Sequence, residues 1–119
     1  MFRIIQVNLD KSKLATQELR LYCDKEKVDI ACLQEPYINK GRLIGMRTDA
    51  MVLVPEDPNP MVAVVILNKK INVLVDTQNT CRWIQVIRIQ LNSKIITLVN
   101  MYCQFSISAK VFANRLRKY

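Results

Sequence analysis

The stretch of sequence that decides the fold is Val28–Tyr37, which reads VDIACLQEPY. Its first part, Val28–Leu33, is apolar apart from Asp29 and predicts a buried strand. Gln34, Glu35 and a proline follow, and proline cannot continue a central strand. We therefore expect the Glu35 carboxylate to lie where a buried strand meets a turn.

The residues before this strand predict a strand–helix–strand crossover. Phe2–Val7 reads as the first strand, and Lys13–Lys27 reads as a helix with Ser12 as its N-cap. The apolar positions of the helix follow helical spacing and predict its buried side: Ala15, Leu19, Tyr22 and Cys23.

The rest of the chain is rich in predicted strands, separated by polar or proline-containing loops. The strands are Ala50–Val54, Met61–Leu67, Ile71–Val75, Trp83–Leu91 and Ile95–Tyr102. A second helix is predicted at Ala109–Tyr119, and Ile38–Arg47 reads as a loop. No linker or repeat interrupts the pattern, so residues 1–119 form one α+β unit.

Composition narrows the function. The net charge is +8, and from Thr77 onward there are seven basic residues and no acidic ones, which favours a polyanionic partner such as nucleic acid. The two glycines exclude a glycine-rich phosphate loop. The four cysteines lack paired spacing and the chain lacks histidine, which argues against zinc and for reduced, intracellular thiols. No apolar run is long enough for a signal peptide or a membrane span.

Three strand ends carry polar side chains with a common chemistry. Asn8 and Asp10 follow the first strand, Glu35 follows the second, and Tyr102 ends the last. Mg²⁺ usually binds one or two protein carboxylates, and a tyrosine hydroxyl can donate to a phosphate oxygen in a transition state. We therefore expect Asn8, Glu35 and Tyr102 to form half of a phosphodiester-cleaving site, while Asp10 has the alternative role of starting the turn into the first helix. Each also has an ordinary structural interpretation: a solvated turn carboxylate, a capping asparagine and a half-buried aromatic ring.

The order of elements resembles the N-terminal half of the endonuclease/exonuclease/phosphatase superfamily. Gln6–Asp10 is similar to its first motif, Leu33–Glu35 to its second and Asn100–Tyr102 to its third. The Leu-Gln-Glu-Pro-Tyr string is most similar to the apurinic-like endonuclease of non-LTR retrotransposons. Cys103 and the two residues after it depart from the family, which usually has prolines there.

The resemblance implies a two-sheet, four-layer α/β/β/α sandwich and a metal-dependent DNA endonuclease. It implies that Glu35 binds Mg²⁺ or Mn²⁺, with Asp10 as a second candidate ligand, and that Asn8 and Tyr102 are catalytic. DNA is the implied partner, with no membrane, and the implied location is the nucleus.

The resemblance covers only about half of the family's domain. The later Gly-Asp-x-Asn and Ser-Asp-His segments are absent from these residues. We therefore expect a single partial domain, truncated after the third motif and inactive by itself.

We also expect this half to supply mainly one sheet with an exposed apolar inner face. The expected inner-face residues are Val64, Ile66, Ile87, Ile89, Ile96 and Leu98. Such a face predicts contact with the missing C-terminal half of the domain or self-association.

A second hypothesis is a non-catalytic nucleic-acid-binding module that uses the basic C-terminal third. Its candidate contacts are Arg82, Arg88, Arg115, Arg117 and Lys118. Within the superfamily, a phosphatase, an RNA deadenylase or a sphingolipid-cleaving enzyme also stays open.

Overall fold

The computed structural model describes residues 2–103, and it begins with the predicted crossover. Its elements are β1 (Ile4–Asn8), α1 (Lys13–Glu26) and β2 (Ile30–Gln34). β1 and β2 pair in parallel, with Asn8 opposite Gln34. The crossover is confirmed, and the carboxyl ends of both strands meet at one edge of the sheet.

Local interactions define both ends of α1. The Ser12 hydroxyl accepts a 3.0 Å hydrogen bond from the Ala15 backbone N–H, as predicted for the N-cap. At the other end Lys27 is left-handed and donates its N–H to the Cys23 carbonyl. Leu19 and Cys23 are buried as predicted, but Tyr22 is 51% exposed, so its place on the buried side was wrong.

The first sheet has four strands in the order β1-β2-β6-β5. β5 is Met51–Leu53 and β6 is Val62–Ile66, and both pairings that involve β6 are antiparallel. Every residue of β2 and β6 is buried, because these central strands are covered on both faces.

The second sheet is an antiparallel meander of three strands in the order β7-β8-β9. The strands are β7 (Asn72–Val75), β8 (Ile84–Leu91) and β9 (Lys94–Met101), with a short 3-10 turn at Thr77–Asn79. The segment predicted as the loop Ile38–Arg47 contains a short hairpin whose two strands have two residues each, β3 (Ile38–Asn39) and β4 (Arg42–Leu43).

These elements form three layers with two apolar interfaces. On one face of the first sheet, Leu19 and Cys23 of α1 pack with Ala31, Leu33 and Val65. On the other face is the inter-sheet cluster, which contains residues of both sheets. Its buried members are Ile30, Cys32, Val64, Ile66, Ile71, Ile87 and Ile89.

The expectation of mainly one sheet with an exposed inner face was wrong. The second sheet covers the first, so Val64, Ile66, Ile87 and Ile89 are each less than 5% exposed. Leu98 is partly buried against the same cluster, and only Ile96, at 41%, is exposed as expected. Burial of this face removes the main reason to expect self-association through it.

The α+β class is confirmed. The predicted helix Ala109–Tyr119 lies outside the described residues. Within residues 2–103, no helix combines the length and the apolar character that a membrane span requires.

Candidate functional site

The site lies where the ends of strands from both sheets meet. Backbone hydrogen bonds join the loops after β1 and β2: Leu9 N–H donates to Gln34 O at 2.9 Å, and Lys11 N–H donates to Glu35 O at 2.8 Å. The Glu35 N–H donates to Met61 O at 2.9 Å, just before β6. The backbone of Glu35 is therefore held from both sides.

A direct side-chain contact joins the predicted second and third motifs. The Tyr102 hydroxyl donates a 3.1 Å hydrogen bond to Oε1 of Glu35. Both side chains are half-buried, so the carboxylate keeps access to solvent. Residues that are 67 positions apart in the chain thus form one polar pair.

The Tyr102 ring is also fixed by an aromatic neighbour. It stacks on Trp83 with a centroid separation of 6.3 Å and an interplanar angle of 16°. Burial raises the pKa of the Tyr102 phenol above its ordinary value, and the hydrogen bond to Glu35 and the charges of Glu35 and Asp10 raise it further. The phenol therefore keeps its proton and remains a hydrogen-bond donor at neutral pH.

Three of the six non-glycine residues with positive φ among the described residues lie at these strand ends. Asp10, Lys11 and Glu35 have φ angles of 51°, 53° and 49°, a region that L-residues other than glycine occupy at a cost. Such strain is typical of functional sites, where surrounding contacts hold the backbone in place. Nothing in the sequence pattern indicated it.

The predicted residues Asn8 and Asp10 lie beside the pair. The Asn8 Oδ1 accepts a 2.9 Å hydrogen bond from the Asp10 N–H, which makes a local turn after β1. Both residues are exposed. The Asn8 oxygen therefore orients the turn that follows β1.

The oxygen donors at the site suit a hard divalent cation. Glu35 and Asp10 supply two carboxylates from neighbouring strand ends, and Mg²⁺ commonly binds one or two carboxylates and several waters. Among residues 2–103 no group of three or more His, Cys, Asp or Glu side chains is placed to hold a metal ion.

An open groove of about 530 Å³ begins at Pro36, the residue that follows Glu35 in the chain. It runs between the segment 36–41 and the proline-rich loop 58–60, and Lys11 lines it as well. Tyr37 and Lys40 contribute an aromatic ring and a second cation. Lys11, Tyr37 and Lys40 were not among the site residues predicted from the sequence.

The predicted basic contacts are engaged in ion pairs where the structure describes them. Arg82 Nε lies 3.0 Å from Oδ1 of Asp57, and its guanidinium lies 5.7 Å from the Trp83 ring centre. Arg88 Nη2 lies 3.9 Å from Oδ2 of Asp76, in the second sheet. Arg115, Arg117 and Lys118 lie outside the described residues.

These contacts also lower the pKa values of the carboxyl groups of Asp57 and Asp76. A backbone N–H of Asn59 and then Arg82 lower the pKa of Asp57. Hydrogen bonds from Asn79 and the charge of Arg88 lower the pKa of Asp76. Arg82 and Arg88 therefore neutralise the carboxylates of Asp57 and Asp76. Because their charges are paired, these two arginines are weaker candidates for contacts with nucleic acid.

Two buried polar residues behind the site were not assigned a role from the sequence. Asn100 and Gln34 are 3% and 5% exposed, and Gln34 Nε2 donates to Asn100 Oδ1 at 2.6 Å. The one available signal was the presence of an amide inside an apolar strand, where it needs a buried partner.

The chain has similar solved structures but no matching family model. No protein-family model and no curated protein matches the chain. Among solved structures, the chain is similar to one described as the endonuclease domain of TRAS1, a telomere-specific non-LTR retrotransposon. The TM-score is 0.84 at 26% sequence identity.

The match covers 99% of this chain and 52% of that one, so the chain spans about half the length of the domain it matches. The likeness confirms the resemblance that the three strand-end motifs indicated. The chain fits an apurinic-like endonuclease-type domain.

Proposed function

We propose that this apurinic-like endonuclease-type domain is the front part of a metal-dependent nuclease that cleaves phosphodiester bonds in DNA. The observation that carries the proposal is the 3.1 Å contact between Tyr102 and Glu35 at the strand ends. This contact supports the proposal because a hydrogen-bond donor and a carboxylate lie close enough for one phosphate to meet both the donor and a metal ion held by the carboxylate.

In this proposal Glu35 holds Mg²⁺ or Mn²⁺, with Asp10 as a second ligand from the neighbouring strand end. When bound, such an ion neutralises charge on a phosphate and stabilises the charge that develops during hydrolysis. The Glu35 backbone, fixed by hydrogen bonds to Lys11 and Met61, keeps the carboxylate directed toward the site.

The side chains of Tyr102 and Asn8 act on the substrate side. The raised pKa of Tyr102 keeps its hydroxyl protonated, so it can donate to a phosphate oxygen as negative charge develops. The exposed amide of Asn8 orients groups around the metal, with its own turn held by the Asp10 N–H.

DNA is supported as the substrate by the groove that begins at Pro36. Lys11 and Lys40 can neutralise two backbone phosphates, and Tyr37 offers an aromatic surface. A strand whose scissile phosphate lies at Glu35 could leave the site along this groove. Nuclear localisation, which the resemblance implies, belongs to the same proposal.

We further propose that these 119 residues do not turn over by themselves. The resembled family uses later Asp, Asn and His–Asp groups, and this sequence contains no histidine. Since catalytic groups act as a unit, removing several of them leaves little activity. The four-layer sandwich, of which the described residues form three layers, is part of the same proposal.

A DNA-binding titration with and without Mg²⁺ tests the function against the alternative of a plain nucleic-acid-binding module. If the metal at Glu35 contacts phosphate, Mg²⁺ strengthens binding to the wild-type chain and has no such effect on Glu35→Gln. Equal, Mg²⁺-independent binding by both proteins would contradict the proposal and favour the binding module.

Plasmid nicking is the companion assay for the proposed inactivity. The wild-type chain with Mg²⁺ should leave supercoiled plasmid intact. Mg²⁺-dependent nicking that Glu35→Gln abolishes would show that the half-site is sufficient for cleavage.

A further inference from the structure

Four amide side chains form a continuous hydrogen-bonded chain through both sheets. Gln6 Nε2 donates to Gln34 Oε1 at 3.2 Å, and Gln34 Nε2 donates to Asn100 Oδ1 at 2.6 Å. Asn100 Nδ2 donates to Gln85 Oε1 at 3.2 Å, and Gln85 Nε2 donates to the Leu53 carbonyl at 2.8 Å. Gln6 donates at the start of the chain, and Gln34, Asn100 and Gln85 each accept with the side-chain oxygen and donate with the nitrogen. The chain therefore runs in one direction from β1 to β5.

Asn100 is the centre of this amide chain. Besides Gln85, its nitrogen lies 3.2 Å from the Leu33 carbonyl and 3.0 Å from the Ala63 carbonyl. Leu33 is in β2 and Ala63 is in β6, both in the first sheet, whereas Asn100 is in β9 of the second sheet. One buried side chain therefore joins the two sheets through side-chain and backbone partners.

This junction lies directly behind the candidate site. Asn100 is two residues before Tyr102 in the chain, and its partners Leu33 and Gln34 immediately precede Glu35. The hydrogen bonds of Asn100 therefore fix the separation of the two strand ends that carry the Tyr102–Glu35 contact.

We propose that Asn100 is a positioning residue, which holds β9 against β2 so that the Tyr102 hydroxyl reaches the Glu35 carboxylate. Asn100 contacts neither metal nor substrate in this scheme. The inference rests on the proposed function only in treating Tyr102 and Glu35 as the groups that act on phosphate.

Energetics favours a geometric role for this amide over a role in general stability. A buried amide is unfavourable unless it is fully hydrogen-bonded, and an apolar side chain of similar size would fill the same space without that requirement. A satisfied buried polar network instead selects one arrangement of the surrounding strands. Here the selected arrangement is the register of β9 relative to the first sheet.

The test is Asn100→Leu in the full chain, read out through Trp83. Trp83 is the single tryptophan of the sequence and stacks on Tyr102. Near-ultraviolet circular dichroism is measured for the wild type and for Tyr102→Phe, and the difference between the two spectra isolates the signal of this aromatic pair. The same difference is then measured between Asn100→Leu and the double variant Asn100→Leu with Tyr102→Phe. We expect a clear difference in the first comparison and none in the second.

A destabilised control separates positioning from general loss of structure. Ile71→Ala removes a buried side chain of the inter-sheet cluster and lies outside the amide chain. It should lower the melting temperature but keep the Tyr102-dependent signal. If Asn100→Leu keeps that signal too, the proposal is wrong.

Gln34→Met is the second variant, used in the same way if Asn100→Leu does not fold. It removes the other partner of the 2.6 Å hydrogen bond while keeping a side chain of similar length. Loss of the Tyr102-dependent signal supports the proposal, and an unchanged signal overturns it.

Mn²⁺ affinity provides a readout that separates the inference from the proposed function. We expect Asn100→Leu to weaken Mn²⁺ binding several-fold because Glu35 loses its support. Absence of Mn²⁺ binding by the wild type would contradict the metal site, while the circular dichroism result would still decide the positioning role. Unchanged affinity together with an unchanged aromatic signal would overturn the positioning role alone.

Discussion

Oε1 of Glu35 accepts a hydrogen bond from the Tyr102 hydroxyl over 3.1 Å, at the point where the two sheets converge. Glu35 follows β2 of the first sheet, and Tyr102 follows β9 of the second. The contact therefore depends on how the two sheets pack. A change in the inter-sheet cluster that shifts one sheet would also change the geometry of the candidate site at the strand ends.

Alkaline titration should show Tyr102 losing its proton above its ordinary pKa of 10.0. Because the folded-state pKa is raised, the native state holds this proton more tightly than the unfolded chain does. The stabilisation is complete below the unfolded pKa and is lost as the pH rises through the folded pKa. Unfolding measured from pH 8 upward should therefore show a steeper loss of stability in the wild type than in Tyr102→Phe. Identical pH profiles would mean that burial and the Glu35 contact do not raise the pKa of Tyr102 in the folded protein.

Truncating the inter-sheet cluster should destabilise the protein strongly. Ile87 is fully buried, so Ile87→Ala should lower the free energy of unfolding by about 2–5 kcal/mol. Ile95, on the next strand, is 69% exposed, and Ile95→Ala should change the free energy of unfolding by less than about 0.5 kcal/mol. Urea unfolding of both variants checks this, and equal effects would contradict the packing of the second sheet on the first.

The cysteines should differ sharply in reactivity. Burial raises the pKa of both Cys23 and Cys32 to about 11, so these thiols are protonated at pH 8 as well as shielded. Cys103 is exposed and Cys81 is partly exposed. Mass spectrometry after brief alkylation should find Cys103 modified first, with Cys23 and Cys32 modified only in denaturant. Early modification of Cys32 would contradict its place in the inter-sheet cluster.

Neutralising the groove that begins at Pro36 should weaken DNA binding in a salt-dependent way. If Lys11 and Lys40 each contact a phosphate, Lys11→Gln with Lys40→Gln should reduce the slope of log affinity against log salt by roughly 1.8 for duplex DNA. Fluorescence anisotropy across a salt series measures the slope.

Lys25→Gln with Lys70→Gln is the matched control for that experiment. It removes the same charge from exposed residues that do not line the groove. An equal fall in slope for both pairs would mean that DNA responds to net charge and that the groove has no special role.

Local patterns were sufficient to predict the crossover, because each of its features is encoded within a few residues. Ser12 caps α1, and Leu19 and Cys23 face the sheet. Tyr22 was wrongly predicted to be buried because a helix buries only a stripe of limited width. Thr16 is fully buried, but its polar side chain gave no reason to predict this from the sequence.

Features that depend on strand pairing across the whole chain were harder to predict. An apolar strand face does not reveal which sheet will cover it, so burial of Ile87 and Ile89 by the partner sheet was missed. The shared position of Glu35 and Tyr102 at strand ends, together with the resemblance, predicted that they belong to one site. The direct hydrogen bond between them is seen only in the structure, since no local pattern relates residues so far apart. Gln85 resembles an ordinary polar residue in a strand, and only the three-dimensional structure shows that Asn100 donates to it.

The central claim is that Glu35 holds a divalent metal ion, and Mn²⁺ binding measured by electron paramagnetic resonance tests it most directly. The account predicts that the wild-type chain lowers the signal of free Mn²⁺, that Mg²⁺ restores the signal by competition, and that Glu35→Gln leaves it unchanged. Glu18→Gln, which alters an exposed carboxylate of α1, should behave as the wild type does. Equal Mn²⁺ binding by the wild type and by Glu35→Gln would contradict the account.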